Sequence, residues 1–433
     1  MIKKNTNLSL PGSTQKNNLI NNSFYLFVFQ ALKIIFPLIS LPYLTRVLST
    51  SAYGVVSYTK TIMTYMQLFV DFGFLLSGTK DIVNAIRRKQ KIQKVVEEAF
   101  TARIVLGITG FILTLLISLA LPIARNNLLF TLLSYIPVFL TIFLFDFYFR
   151  GIEKMQIITI RFAIMKIVST LLLFIFVKND SNLILIPIFD ILSSLLAVVV
   201  VIRELRRSNI SIRISNLKIA LRKIHESFIF FLSNAASTSL NAIFSIIIGI
   251  FLTESDVAFW GITMQIIGTI QAFSAPISDS VFPEMVKTKN ISLIKKILKY
   301  TTPIIAIGTI MVYVISPLII KILGGDKYIP AITTLQIVSP CIFFGYLAIM
   351  LGWPTLGAID KQNETTLSTI ISLLVVAFGI TILLLAKNFS LITMAYIRIL
   401  GDLSLFIIRL FFVIKYRKDF NHYDIKLLNK GKL

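Results

Sequence analysis

The sequence holds one cysteine, Cys341, and two histidines, His225 and His422, in 433 residues. Disulfide frameworks, zinc clusters and haem ligation therefore have no material to work with, and Cys341 reads as a buried thiol. Charge is scarce too, at 15% of residues, and lopsided: 20 acidic residues stand against 43 basic ones, a net charge of +23. No G-x-x-x-x-G-K-[ST] pattern occurs. The Gly431–Lys432 pair lacks the upstream glycine and the following hydroxyl residue, so ATP hydrolysis is not expected. Strand-period alternation is missing as well, which discards a transmembrane β-barrel.

What fills the chain is apolar. Hydrophobic residues make up 56% of it and the mean hydropathy is +0.84. Apolar runs of roughly 18 to 25 residues recur from near residue 23 to residue 414, each long enough to cross a hydrocarbon core of about 30 Å as a helix. The expected fold is an all-α integral membrane protein with about twelve transmembrane helices. Alternate loops differ sharply in charge, about thirty basic residues on one side against about five on the other, which predicts cytoplasmic amino and carboxyl termini. The surplus lies where anionic lipid headgroups attract it, so nucleic acid is not needed as a partner.

On the far side every loop is short: STSA, ARNN, KNDSN, TESD, GGDKYIP and KNFS. That leaves no domain to hold the site of a membrane glycosyltransferase or polymerase. The segments divide into a cytoplasmic lead (1–22), an amino-terminal six-helix lobe (23–202), a linker (203–227), a second six-helix lobe (228–414) and a basic tail (415–433). Within the linker, Leu217, Leu221 and Ile224 share a face beside Arg222 and Lys223, the pattern of an interfacial amphipathic helix. An internal repeat links the lobes. LSTSAYGVVSYTKTI from Leu48 aligns with LTESDVAFWGITMQI from Leu252, each across the first far-side turn of its lobe. Six being even, both lobes start from the same side, so the repeats are parallel and can rock around a central cavity.

Polar residues inside the apolar runs are the candidate site. Lys60, Thr64, Gln67 and Asp71 are spaced 4, 3 and 4, one face of a helix. Gln30 and Lys33 fall near the middle of the first span, Lys166 with Ser169 and Thr170 in the fifth, and Asp190 with Ser194 in the sixth. A lysine at mid-membrane costs roughly 2.5–3.5 kcal/mol on insertion scales, so Lys33, Lys60 and Lys166 together imply about 7–10 kcal/mol of compensation. Two compensations are open: a water-filled cavity, or dry pairs with Asp71, Asp146 or Asp190. Pairing with Asp71, Asp146 or Asp190, or snorkelling, explains Arg103 and Arg161, near the basic surface; snorkelling is strained for Lys33 and Lys166, which are about 14–17 Å from either helix end. In the second lobe Asn234, Thr238, Asn241 and Ser245 form an amide and hydroxyl stripe, suited to a sugar or to ordinary interhelical bonding. Arg398, Asp402 and Arg409 form another stripe, in which Arg398 and Asp402 at i and i+4 can neutralise each other.

Two stretches carry a family resemblance: QALKIIFPLISLPYLTRVLSTSAYG, Gln30 to Gly54, and DFGFLLSGTKDI, Asp71 to Ile82. They resemble the amino-terminal signature of bacterial Wzx-type flippases of polysaccharide repeat units. Those flippases belong to the multidrug/oligosaccharidyl-lipid/polysaccharide exporter (MOP) superfamily, whose MATE-like fold has two six-helix lobes. The resemblance implies a transporter rather than an enzyme, in the bacterial inner (plasma) membrane. It would move undecaprenyl-pyrophosphate-linked oligosaccharide from the cytoplasmic to the outer leaflet for O-antigen or capsule assembly. It further implies no cofactor, a proton or sodium ion as coupling ion, and a polysaccharide polymerase and chain-length regulator as partners beside the lipid-linked substrate and anionic lipids. On that reading Lys33, Lys60, Lys166, Gln30, Asn234 and Asn241 line the substrate cavity, while Arg46, Asp71, Asp190, Arg398 and Asp402 serve gating or coupling. The alternatives are a cation-coupled multidrug exporter, against which the lysine excess stands, and a lipid II-type flippase.

Overall fold

The computed structural model describes residues 14–420, apart from the side chains of residues 14–20, 229, 230, 233, 236, 237, 240 and 241. The expected lead and basic tail therefore lie largely outside the described residues, as do His422 and the side chain of Asn241. No strand occurs among the described residues.

In the first lobe the helices are α1 (Thr14–Val47), α2 (Thr50–Asp71), α3 (Phe74–Arg87), α4 (Ile92–Ala120), the short α5 (Pro122–Asn126), α6 (Leu128–Leu140), α7 (Asp146–Gly151), α8 (Met155–Phe176) and α9 (Leu185–Arg207). The second holds α10 (Leu217–Phe251), α11 (Glu254–Ala272), α12 (Ser274–Thr288), α13 (Ile291–Leu323), α14 (Ala331–Val338), α15 (Pro340–Leu351), α16 (Gln362–Leu385) and α17 (Leu391–Lys415). Four crossings are each made of two helices: α2 with α3, α6 with α7, α11 with α12, and α14 with α15. That gives the twelve expected. Among the described residues nine segments have the length and hydropathy of a membrane span. The other three crossings run through α2 and α17, which carry Lys60 and the Arg398–Asp402–Arg409 stripe, and α10, whose apolar part is Ala242–Phe251.

Two boundaries differ from expectation. Helix α1 starts at Thr14, ahead of Ser23. The expected free-standing linker helix is instead the opening turns of α10: Asn216 caps it, accepting from the Lys218 amide at 2.8 Å, and no glycine or proline interrupts the chain until Gly249. Only residues 208–216 remain as a strap. It is tied to α4, the Ser211 amide donating to Gln93 Oε1 at 3.0 Å and the Ser215 amide to Thr101 Oγ1 at 2.7 Å.

Two helix breaks shape the first lobe. Helix α2 ends where Phe72 (φ 39°) and Gly73 (φ 76°) both enter the left-handed region, and a 3₁₀ turn, Thr141–Leu144, leads to Phe145 (φ 50°) ahead of α7. A left-handed phenylalanine costs on the order of 1–3 kcal/mol and persists only where packing over-determines it. Both are buried: Phe72 stacks on Phe231 with centroids 4.4 Å apart, and Phe145 on Phe100 at 5.4 Å. The breaks leave Asp71 as the last residue of α2 and Asp146 as the first of α7.

The lobes meet along α2 and α11, the helices begun by the two repeat stretches, and these run side by side in the same direction. Small residues allow the approach. Gly54 lies so close to the Glu254 backbone, and Gly261 so close to the Ser57 side chain, that neither leaves room for a Cβ. The Thr50 and Ser255 hydroxyls are 2.9 Å apart, and Ser51 donates to Glu254.

Candidate functional site

Between the lobes lies a cavity of about 480 Å³ whose polar lining includes Ser40, Lys60, Thr64, Lys166, Ser169, Asp190, Ser245 and Gln265. Lys60 is exposed to it and donates to Gln265 Oε1 across the lobe boundary at 3.5 Å. Lys166 is half-buried on α8, and Asp190 on α9 accepts from Ser169 at 2.6 Å. Among the described residues no ion pair includes Lys33, Lys60 or Lys166. Lys60 and Lys166 thus face the same accessible space with one carboxylate between them.

The far side of this space is closed. Arg46 donates through Nη2 to the Ile322 carbonyl at 3.0 Å, and Thr45 donates to that of Leu323 at 2.6 Å. Lys327 reaches back to the carbonyls of Arg46 and Leu48, each at 3.2 Å. Tyr53 meets Tyr328 edge to face, centroids 6.0 Å apart. Arg46 therefore belongs to the inter-lobe closure rather than to a cavity wall. At the basic end α3 and α10 touch, the Lys223 ammonium 2.8 Å from Asp81 and the Ser77 and Ser227 hydroxyls 2.8 Å apart. Burial pulls the Lys223 pKa down, but its bonds to Asp81 and Glu226 outweigh that and hold it above the usual lysine value. Glu226 is held below the usual carboxylate value, burial being outweighed by Lys223 and Arg222. This contact therefore keeps its charges through neutral pH: the Glu226 contribution is lost only as pH falls through its lowered value, that of Lys223 only as pH rises through its raised one.

The stripe on α2 splits between two spaces. Gln67 and Asp71 line a second cavity of about 320 Å³, together with Lys33, Arg103, Asp146, Arg150 and Arg161. Gln67 donates to Asp71 at 2.9 Å and to Thr141 at 3.1 Å. Arg103 pairs with Asp71 at 2.8 Å and donates to the Ile142 carbonyl at 3.5 Å, and Arg161 pairs with Asp146. These arginines are not snorkelling: Arg103 is 5% and Arg161 3% exposed. Lys33 lies over the Phe29 ring, 4.6 Å from its centroid, a placement worth roughly 0.5–2 kcal/mol.

Gln30 and Asn234 are exposed on their helices and line neither cavity. Arg398 and Asp402 pair at 3.1 Å, buried inside the second lobe and also outside both cavities. Arg150 was not singled out by sequence. It stands at the head of RGIEK and reads there as a loop cation; Asp146, four residues earlier, was the available signal.

Arg409 is buried against neutral acceptors only. It donates to Ser368 Oγ at 3.1 Å, Thr369 Oγ1 at 3.2 Å and the Ala348 carbonyl at 2.6 Å, beside the π-helical turn Gly352–Leu356. Arg409→Met leaves these acceptors unpaired, and thermal unfolding of the purified protein is expected to show a loss of roughly 1–3 kcal/mol.

The family model described as "Polysaccharide biosynthesis protein" matches residues 19–289. A protein of Escherichia coli (strain K12) named "Putative O-antigen transporter" is 25% identical over 351 residues, covering 78% of this chain and 84% of its own length. A Shigella dysenteriae protein of the same name is 24% identical over 321 residues, 71% of this chain and 78% of its own. Among solved structures, the lipid II flippase MurJ in an inward closed conformation superposes with a TM-score of 0.70 at 14% identity, over 91% of this chain and 87% of MurJ. An inward-facing MATE-family multidrug resistance transporter gives 0.65 at 13%, over 89% of this chain and 98% of its own. Both likenesses are of fold.

Proposed function

Because the chain belongs to the polysaccharide biosynthesis protein family, we propose that it is a flippase carrying undecaprenyl-pyrophosphate-linked oligosaccharide from the cytoplasmic to the outer leaflet of the bacterial inner membrane. Its relatives by sequence and by fold are transporters by name, and the reading as a transporter rather than an enzyme rests on them. The observation that carries the substrate class is the pair Lys60 and Lys166, which belong to no ion pair among the described residues and share a cavity between the lobes with a single aspartate, Asp190. Ammonium groups in such a space attract a phosphorylated headgroup and repel the cationic substrates of a drug exporter.

The far-side contacts, and the basic residues of the sequence on the opposite side, support this direction: the cavity is shut on the far side and would receive the headgroup from the cytoplasmic one. An anion leaving a negative interior is helped by about 2.3 kcal/mol per charge per 100 mV, so the lysines need only lower the barrier. Ser169, Ser245 and Gln265 offer the hydroxyls and amide that a sugar can meet.

The test is genetic and direct. A strain lacking the chain is expected to lose its surface polysaccharide while keeping undecaprenyl-linked repeat units on the cytoplasmic face, and expression of the chain restores the polymer. Unchanged surface glycan together with raised drug susceptibility would replace this reading with the exporter.

A further inference from the structure

The second cavity adds a step to that function. We infer that it is a separate phosphate site, centred on Arg150 with Lys33, which holds the headgroup at the basic end before the Lys60 and Lys166 cavity takes it. This rests on the flippase reading for its ligand, but its geometry is independent. The two cavities share no lining residue. On α2 Asp71 lies eleven positions from Lys60, about 16 Å along the helix.

Four cations in this cavity face two carboxylates. Arg103 and Arg161 are each paired with an aspartate, and that pairing fixes the wall. Arg150 is different. It is half-buried at the end of α7 and, unlike Arg103 and Arg161, belongs to no ion pair among the described residues; the Nε of all three arginines is buried without a hydrogen-bond partner. Lys33 lies over the Phe29 ring and belongs to no ion pair among the described residues.

A guanidinium held partly out of water with no acceptor is unfavourable until an anion arrives, and its planar fork fits two phosphate oxygens at once. The surplus of two positive charges matches a phosphate dianion. The aspartates across the cavity keep the site from binding too tightly for onward release. Position sets the order: Arg150 heads a basic-side loop, so a headgroup arriving there meets it first.

The experiment uses the full-length protein in nanodiscs, with undecaprenyl pyrophosphate and undecaprenol as probes and native mass spectrometry as the readout. With Lys60→Gln and Lys166→Gln in place, a preference for the pyrophosphate lipid should survive. Adding Arg150→Gln should weaken it about tenfold or more, with Arg150→Lys restoring part. Should Arg150→Gln fail to fold, Lys33→Gln serves in its place. Loss of all preference in the double lysine variant, or no further loss on adding Arg150→Gln, overturns the second site. A wild-type chain with no preference for the pyrophosphate lipid overturns the flippase reading instead.

Discussion

Joining Thr50→Cys to Ser255→Cys is expected to lock the resting protein and stop transport, and a reductant is expected to restore it. The two hydroxyls are 2.9 Å apart at the far-side start of α2 and α11, one from each lobe. The sole native cysteine, Cys341, is buried and offers no competing thiol. On the proposed flippase reading this seam has to part, because the far-side contacts across it close the cavity in the resting protein. A covalent bond here removes the outward state. Surface polysaccharide in cells bearing the cross-linked chain should fall to the level of the deletion strain, and recover on reduction. A fully cross-linked chain with undiminished polymer would rule out opening along α2 and α11.

Replacing Lys60 and Lys166 together by glutamine should abolish surface polysaccharide while protein level stays normal. Each charge-assisted bond to phosphate is worth roughly 1.5–3 kcal/mol, or about tenfold to a hundredfold in affinity, so two lost from one site predict at least about a hundredfold weaker binding of the headgroup. Folding should not suffer, since glutamine enters the membrane more easily than lysine and no ion pair among the described residues is broken. Arginine at both positions should retain much of the activity. Immunoblotting for the chain and staining for the glycan decide it, and full polymer with both lysines gone would discard the cavity as the substrate site.

Much of this was legible before any coordinates. Span count and the parallel repeat follow from hydropathy, loop length and spacing, which depend on local composition. What spacing left open was which space each residue faces. The stripe from Lys60 to Asp71 lies on one helical face, yet Phe72 and Gly73 end α2 beside the second cavity, so its two halves serve different chambers. Neither break involves proline. A left-handed phenylalanine has no signature in sequence because tertiary packing alone imposes it. For Arg103 and Arg161 the sequence left pairing and snorkelling open; the structure has the pairing, with aspartates that come from other helices. Asn234, a polar residue on a promising stripe, is exposed and lines neither cavity.

The long tenth helix has a mechanical consequence. It leans on α2, α3 and α4 of the first lobe and on α11 and α16 of its own, and the strap before it is stitched to α4. If the lobes rock as the proposed flippase requires, such a rod is placed to act as the pin of a door, with the gap opening on the opposite edge of the molecule. A bulky polar head can then ride through the middle while its long hydrocarbon chain trails outside in the oil, never having to leave it.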